Sequence, residues 1–256
     1  MFRKLAPLSL ALVAINAQAD FIGLQAGAGM WQPDLSGSFQ SEDSSAAGVD
    51  MERDLGFSDT TANNFYVAVE HPVPFLPSFR LERTSLSESR INTLSQSISF
   101  EGQTYTASAE VDSKLDLSHT DYTGYYEILD GLGWLSADIG LTIRHFDGEI
   151  SIKERLGSAD ESVTLDVPVP LLYGKGQFDL PMAPFPLAVG GMINYLSIGG
   201  ATVSDHRLYV AAAAPWPVEV GGELGYRRFN MELDDVDGLD ADMTASGWYA
   251  SATVHF

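Results

Sequence analysis

The last nine residues, Trp248 to Phe256, read W-Y-A-S-A-T-V-H-F. Counting back from Phe256, every second residue is apolar (Val254, Ala252, Ala250, Trp248), while Tyr249, Ser251, Thr253 and His255 fill the other register. A period of two gives a strand one apolar and one polar face. A chain that ends this way is committed to a sheet whose two sides meet different surroundings.

The start of the chain narrows those surroundings. Arg3 and Lys4 precede an apolar stretch from Leu5 to Ile15, and Ala17-Gln18-Ala19 follows before Asp20. A charged start, a short apolar run and a small-x-small site predict a secretory signal peptide over residues 1–19, cut after Ala19, with one domain over 20–256. The run is well short of the roughly 20 residues that a membrane-spanning helix needs. There is no cysteine, so disulfide and thiol chemistry are absent. Mean hydropathy is zero, which suits a soluble protein and equally a β-barrel, whose lipid-facing and lumen-facing residues cancel in any average. A formal net charge of -21 argues against nucleic acid as a partner.

Two kinds of connection alternate along the chain. Short turns marked by Pro or Gly are expected at 71–77, 130–133, 180–186 and 214–217, and longer, acidic connections at 35–61, 88–114, 148–166, 199–204 and 234–241. Between them fall ten strands, about 21–34, 62–71, 78–87, 115–129, 134–147, 167–179, 187–198, 205–214, 218–233 and 242–256. The fold predicted is all-β, an antiparallel up-and-down barrel of about ten strands, eight or twelve if one segment is misread. The segment in question, Ile91 to Glu110, could form a hairpin standing above the membrane.

The faces separate strand by strand. Leu135, Ala137, Ile139, Leu141 and Ile143 oppose Ser136, Asp138, Gly140, Thr142 and Arg144, lipid taking the first set and the lumen the second. Val218, Val220, Leu224 and Tyr226 likewise oppose Glu219, Glu223 and Arg227, and Leu172, Phe178 and Leu180 oppose Tyr173, Lys175, Gln177 and Asp179. Trp31, Tyr66, Tyr122, Tyr126, Trp134, Tyr195, Trp216, Tyr226, Trp248 and Phe256 lie near predicted strand ends, where interfacial aromatic girdles form. Arg83 breaks the scheme, sharing a face with Phe79 and Leu81, and implies a bulge or a shifted register.

An alternating final strand closed by an aromatic residue resembles that of Gram-negative outer-membrane β-barrels, and the chain is similar to their small, uncharacterised members. The resemblance implies short periplasmic turns, longer outer loops, contact with lipid and lipopolysaccharide, and Trp248, Val254 and Phe256 as the signal read by the barrel assembly machinery. It names a place and a fold without a function.

The inward register collects Glu70, Arg80, Glu82, Asp121, Glu127, Asp138, Arg144, Lys175, Asp179, Arg207, Glu219, Glu223 and Arg227, with Tyr125, Tyr173 and Tyr209 among them. Eight acids and five bases in a lumen little wider than that of an eight-stranded barrel predict a packed ion-pair plug. A narrow polar pore, porin-like, is the alternative. An outer-membrane hydrolase is a third reading, with His206 beside Asp205 or His119 near Asp121 as the nearest match to the ten-stranded omptin proteases. His119 is followed by Thr120 and Asp121, so the His-x-Ser spacing of outer-membrane lipid hydrolases fails. With no nucleophile–base pattern the chain reads as a non-enzyme that needs no cofactor. The acidic stretch Asp234 to Asp242 departs from an EF-hand and is expected to be solvated, with weak divalent-cation binding towards lipopolysaccharide phosphates as the sharper reading. Glycines at 23, 27, 29, 190, 191, 221, 222 and 225 are read as relieving crowding where the barrel curves.

Overall fold

The computed structural model describes residues 22–41, 48–73, 75–129, 133–181, 185–214, 218–236 and 239–256. The predicted signal peptide, Trp216 and the turn residues 130–132 lie outside them. The described chain is built of strands. In order they are β1 (Gly23–Ser41), β2 (Val49–Asp50), β3 (Ala62–Glu70), β4 (Ser78–Ser85), β5 (Ser87–Thr93) and β6 (Ile98–Phe100). Then come β7 (Gln103–Tyr105), β8 (Glu110–Asp116), β9 (His119–Glu127), β10 (Leu135–Phe146), β11 (Gly148–Glu154) and β12 (Asp160–Leu165). The chain finishes with β13 (Pro168–Asp179), β14 (Leu187–Ile198), β15 (Ala201–Ala214), β16 (Glu219–Val236) and β17 (Leu239–His255).

Ten of these close an antiparallel barrel in the order β17-β16-β15-β14-β13-β10-β9-β4-β3-β1, with β1 pairing back onto β17 from Gln25↔His255 to Ser41↔Leu239. Closure leaves no unpaired edge, the condition for spanning lipid with strands. The expected ten-stranded up-and-down barrel is therefore the fold. The start of β1 and the end of β17 share one end of the barrel with the end of β3 and start of β4, the end of β9 and start of β10, the end of β13 and start of β14, and the end of β15 and start of β16; this is the near end.

The far end differs from expectation. Two predicted loops, 199–204 and 234–241, are tight hairpins, because β14 runs to Ile198, β15 starts at Ala201, β16 reaches Val236 and β17 begins at Leu239. The stretches expected as loops at 88–114 and 148–166 are largely strand. There β5, β8, β11 and β12 continue the wall of β4, β9, β10 and β13 as a four-stranded sheet, and β6 and β7 pair as the hairpin anticipated over 91–110. Backbone bonds across the joints, such as Leu117 N to Leu86 O at 2.8 Å and Asp147 N to Ser118 O at 3.1 Å, keep the wall continuous.

One change of phase divides the barrel along its length. On β10 the outward residues Ile139, Leu141 and Ile143 are apolar and the inward Asp138, Thr142 and Arg144 polar; from His145 onward this reverses, with His145, Asp147 and Glu149 outward and Phe146, Ile150 and Ile152 inward. β1 switches between Met30, exposed, and Trp31, 1% exposed. β17 switches between Trp248, 63% exposed, and Ala245, buried. Below the switch the wall is apolar outside, as in a membrane protein; above it the wall is apolar inside, as in a soluble one.

The far-end interior is a true hydrophobic core. Trp31, Leu35, Phe39, Phe146, Phe229 and Met243 from the wall meet Val49, Met51, Leu55 and Phe57 from the segment after β1, and Ile98, Phe100 and Tyr105 from the hairpin. Phe39 and Phe100 pack edge to face at 5.6 Å, and the Tyr105 hydroxyl donates to the Ile152 carbonyl at 2.7 Å. Trp31 thus belongs to this core and Tyr66 points into the lumen, so neither joins an aromatic girdle as expected. Trp248 with Tyr226, and Trp134 with Phe178, do pack as edge-to-face pairs on the outer surface, at 5.7 and 5.5 Å.

Arg83 needs neither a bulge nor a shifted register. The pairing of β4 with β3 and β9 is regular, and Arg83 points outward at the switch level, where its Nη1 donates to both carboxylate oxygens of Asp147 at 2.7 Å and to Thr120 at 3.1 Å.

Candidate functional site: the lumen

Beneath the apolar core lies a charged layer. The Arg144 guanidinium forks onto Asp121, Nε to Oδ1 and Nη2 to Oδ2 both at 2.7 Å, and its Nη2 also reaches Asp205 Oδ2 at 2.7 Å. From the other side Arg227 forks onto the same Asp205, at 2.9 and 2.6 Å, and donates to Thr84 Oγ1 at 3.2 Å. Glu82 takes Arg80 on one oxygen at 2.6 Å and Arg207 on the other. Rings complete the surroundings, with Arg227 4.5 Å over Trp31 and Arg80 3.5 Å over Tyr66. Two-point forks suit arginine, whose planar donors match a carboxylate without loss of either charge.

Arg80, Arg144, Arg207 and Arg227 thus face Glu82, Asp121 and Asp205, all in the lumen. Beside them Thr123, Thr142 and Asn194 form a buried relay at 2.7 and 2.8 Å. Arg144 is fully buried, and its Nη1 has no partner among the described residues. The layer lies in the lumen between the apolar core and the near end, so two unlike materials are stacked on each other in the interior.

Below it the lumen opens into a polar cavity of about 790 Å³. The thirteen charges of the inward register are found at two depths, with Glu127 and Glu219 exposed. Glu82, Asp121, Arg144 and Arg227 are in the buried layer, while Glu70, Arg80, Glu127, Asp138, Lys175, Asp179, Arg207, Glu219 and Glu223 line the cavity. Lys175 stands 3.9 Å from Asp138, and Glu70 accepts from the Tyr125 hydroxyl at 2.9 Å. The polar register of the last strand, Tyr249, Ser251, Thr253 and His255, faces the same cavity, and Trp248 faces outward, while Val254, near the end of the strand, is half-buried and also borders the cavity. Phe256, more than half exposed, exchanges backbone bonds with Leu24 at 2.9 and 3.3 Å to finish the barrel seam.

The two histidines weighed for catalysis stand in different surroundings. Asp205 is 2% exposed and central to the layer, while its neighbour His206 is on the outer surface, so the pair is split across the wall. His119 is buried with Nδ1 2.8 Å from the Leu117 carbonyl and Nε2 3.4 Å from Arg227, between the rings of Phe146 and Phe229. Asp205 is also the acid that the inward set omits; extending the alternation of Arg207 and Tyr209 back by two residues finds it.

The glycines have a use beyond curvature. Tyr66 lies against Gly27, Tyr125 against Gly140, Tyr209 against Gly190, and Tyr249 against Gly225, each pair being direct cross-strand partners. A Cβ on Gly190 would stand 2.5 Å from the Tyr209 ring, and one on Gly27 2.3 Å from that of Tyr66. The missing side chain lets each ring lie flat on the wall and leaves the cavity open.

In the acidic stretch the described residues Asp234, Asp240 and Asp242 are on β16 and β17 strands rather than in a loop. Among the described residues no group of three or more His, Asp or Glu is placed to hold a metal ion.

No protein-family model matches the chain, and no curated protein matches it. Among solved structures it is similar to the outer membrane protease OmpT from Escherichia coli, at 12% identity over 93% of this chain and 97% of that one, with a TM-score of 0.48. It is similar also to the transport unit of the autotransporter AIDA-I from Escherichia coli, at 11% identity over 92% and 89%, TM-score 0.40. A third is Ail, the attachment invasion locus protein of Yersinia pestis, solved with the heparin analogue sucrose octasulfate, at 10% identity over 92% and 99%, TM-score 0.35. These are likenesses between barrels and bring no activity with them.

Proposed function

We propose that the protein is a non-conducting outer-membrane barrel of a Gram-negative bacterium, and that it acts through the structured surface standing beyond the lipid rather than through its lumen. The double seal of ion-pair layer and apolar core supports this reading. A channel needs a continuous polar path, and from the near end the Glu82–Arg207 pair and the arginine–aspartate layer stand across that path with the apolar core beyond them.

The far-end sheet supplies the surface. Its bases are matched by adjacent acids, Lys114 to Glu149 at 3.1 Å, Lys153 to Asp160 and Arg155 to Glu110, while Asp112, Glu161 and Asp166 add further negative charge. A face of this sign repels lipopolysaccharide phosphates directly and meets them through divalent cations, held weakly by carboxylate oxygens. Barrel and sheet together are a rigid mount for that face.

The test is the conductance of purified, heat-modifiable protein in a planar bilayer. Silence is expected across applied voltages. Steady, ion-selective current steps would overturn the sealed-lumen reading and make the lumen charges a selectivity site.

A further inference from the structure

The cavity at the near end has an uneven wall. Across four neighbouring strands Asn64, Gly29, Ser251 and Glu223 are direct partners and form one row. In the next row, deeper in the lumen, Tyr249, Gly225 and Tyr209 are partners, and towards the opening Tyr66, Gly27, Thr253 and Gly221 are partners. Glycines alternate with the larger residues, so the row holding Glu223 is recessed between tyrosine rings that lie flat on the wall.

Polar capacity in that recess is unspent. Glu223 has no ion-pair partner and no hydrogen bond among the described residues, although it lines a cavity whose other floor charges, Arg80 and Arg207, are committed to Glu82. Asn64 Oδ1 and Ser251 Oγ are buried without a hydrogen-bond partner. Both lean over Gly29, since a Cβ built there would lie 2.8 Å from Asn64 Oδ1 and 2.6 Å from Ser251 Cβ. Buried polar atoms ordinarily find partners, and two orphans beside one unpaired carboxylate mark a place for a donor.

We infer that this recess binds the primary ammonium group of a small organic amine entering from the near end. An alkylammonium carries one positive charge and three N–H donors, which matches the Glu223 carboxylate, Asn64 Oδ1 and Ser251 Oγ. The faces of Tyr209 and Tyr249 attract the cation and its methylene groups. A divalent metal ion fits less well, because it asks for about six oxygen ligands and gains nothing from aromatic faces. For a polyamine, further ammonium groups would meet the carboxylates nearer the opening, Glu70, Asp179 and Glu219.

The experiment is calorimetric titration of spermidine into the full barrel refolded in neutral detergent micelles at low salt, with heat-modifiable migration confirming that each variant is folded. Saturable binding is expected, weakened at least about tenfold by Glu223→Gln and by a smaller factor by Ser251→Ala. Tetramethylammonium, which has the charge but no N–H donor, is expected to bind at least about tenfold more weakly than spermidine. Unsaturable heats, equal binding by folded Glu223→Gln, equal binding of tetramethylammonium, or full displacement by magnesium at matched ionic strength would each overturn the site and leave only a diffuse acidic lumen. None of these outcomes depends on whether the barrel conducts.

Discussion

Asp205 and Arg227 are joined at two points, Nε to Oδ1 at 2.9 Å and Nη2 to Oδ2 at 2.6 Å, across adjacent strands deep in the lumen. The same Asp205 oxygen receives Arg144 from β10, three strands along the wall, at 2.7 Å, so one carboxylate ties β15, β16 and β10 together. Removing it by Asp205→Ala leaves Arg227 buried without its carboxylate. The expected loss is about 3–5 kcal/mol, the usual effect of orphaning a buried charge. Urea unfolding in lipid vesicles reads this directly, and Glu219→Ala at the exposed cavity mouth should stay within about 0.5 kcal/mol on the same measurement.

Glycine positions divide into seats and bystanders. A Cβ on Gly140 would meet the Gly124 carbonyl oxygen at 2.2 Å and Tyr125 Cβ at 2.8 Å, and backbone cannot step aside. Gly140→Ala is therefore expected to cost about 1–3 kcal/mol by overpacking. Gly176→Ala meets nothing within 4 Å and should be neutral, to within about 0.5 kcal/mol in the same unfolding assay.

The far-end cap carries an acid-sensitive latch. Asp54 is buried; burial pushes its carboxyl pKa up, but donation from Arg53 at 2.7 and 3.0 Å and from the Asp50 backbone N–H at 3.0 Å outweighs it, and the pKa is held below the ordinary value of 3.8. A carboxyl whose folded pKa is depressed stabilises the fold above its unfolded pKa and loses that contribution as pH falls through the folded one. Protease cutting within residues 48–60 should thus rise as pH drops below about 4. Asp54→Asn should be cut more readily at neutral pH and lose most of the acid-dependent increase.

Phe256 separates assembly from stability. Its side chain is outward and more than half exposed, and its backbone bonds to Leu24 survive any substitution other than proline. Phe256→Ala is expected to change the unfolding midpoint of refolded protein by no more than about 0.5 kcal/mol. The amount of folded barrel recovered from cell envelopes should nevertheless fall, if the final aromatic is read during insertion. Equal yields of both proteins would remove Phe256 from the assembly signal.

The faces of β10, β13 and β16 are legible in the sequence because alternation there is strict and both surroundings are uniform. Asp205 and His119 were less so, since each stands beside Gly, Ser, Thr or Asp residues that resemble a connection. The far-end core was hidden for another reason. Trp31, Leu35 and Phe39 are spaced among Asp, Ser, Gln and Gly, and taken alone the stretch looks like a polar loop. Its signature is a shift of apolar residues from even positions (Leu24, Ala26, Ala28, Met30) to odd ones (Trp31, Leu35, Phe39), visible only if parity is followed through the whole strand. Which tyrosine rests on which glycine depends on cross-strand register, and sequence alone does not supply it.

That single shift of parity makes the molecule two proteins by solvation and one by hydrogen bonding. The lower half is held by its fit to lipid, the upper half by water's exclusion from an interior of ordinary size, and each responds to a different solvent. Yet β1, β16 and β17 run unbroken through both. Denaturant acting on the upper core strains strands still anchored in the bilayer, and thinning the bilayer disturbs a core it never touches. Neither half has a stability of its own to measure, because the ladder that joins them makes every loss a shared one.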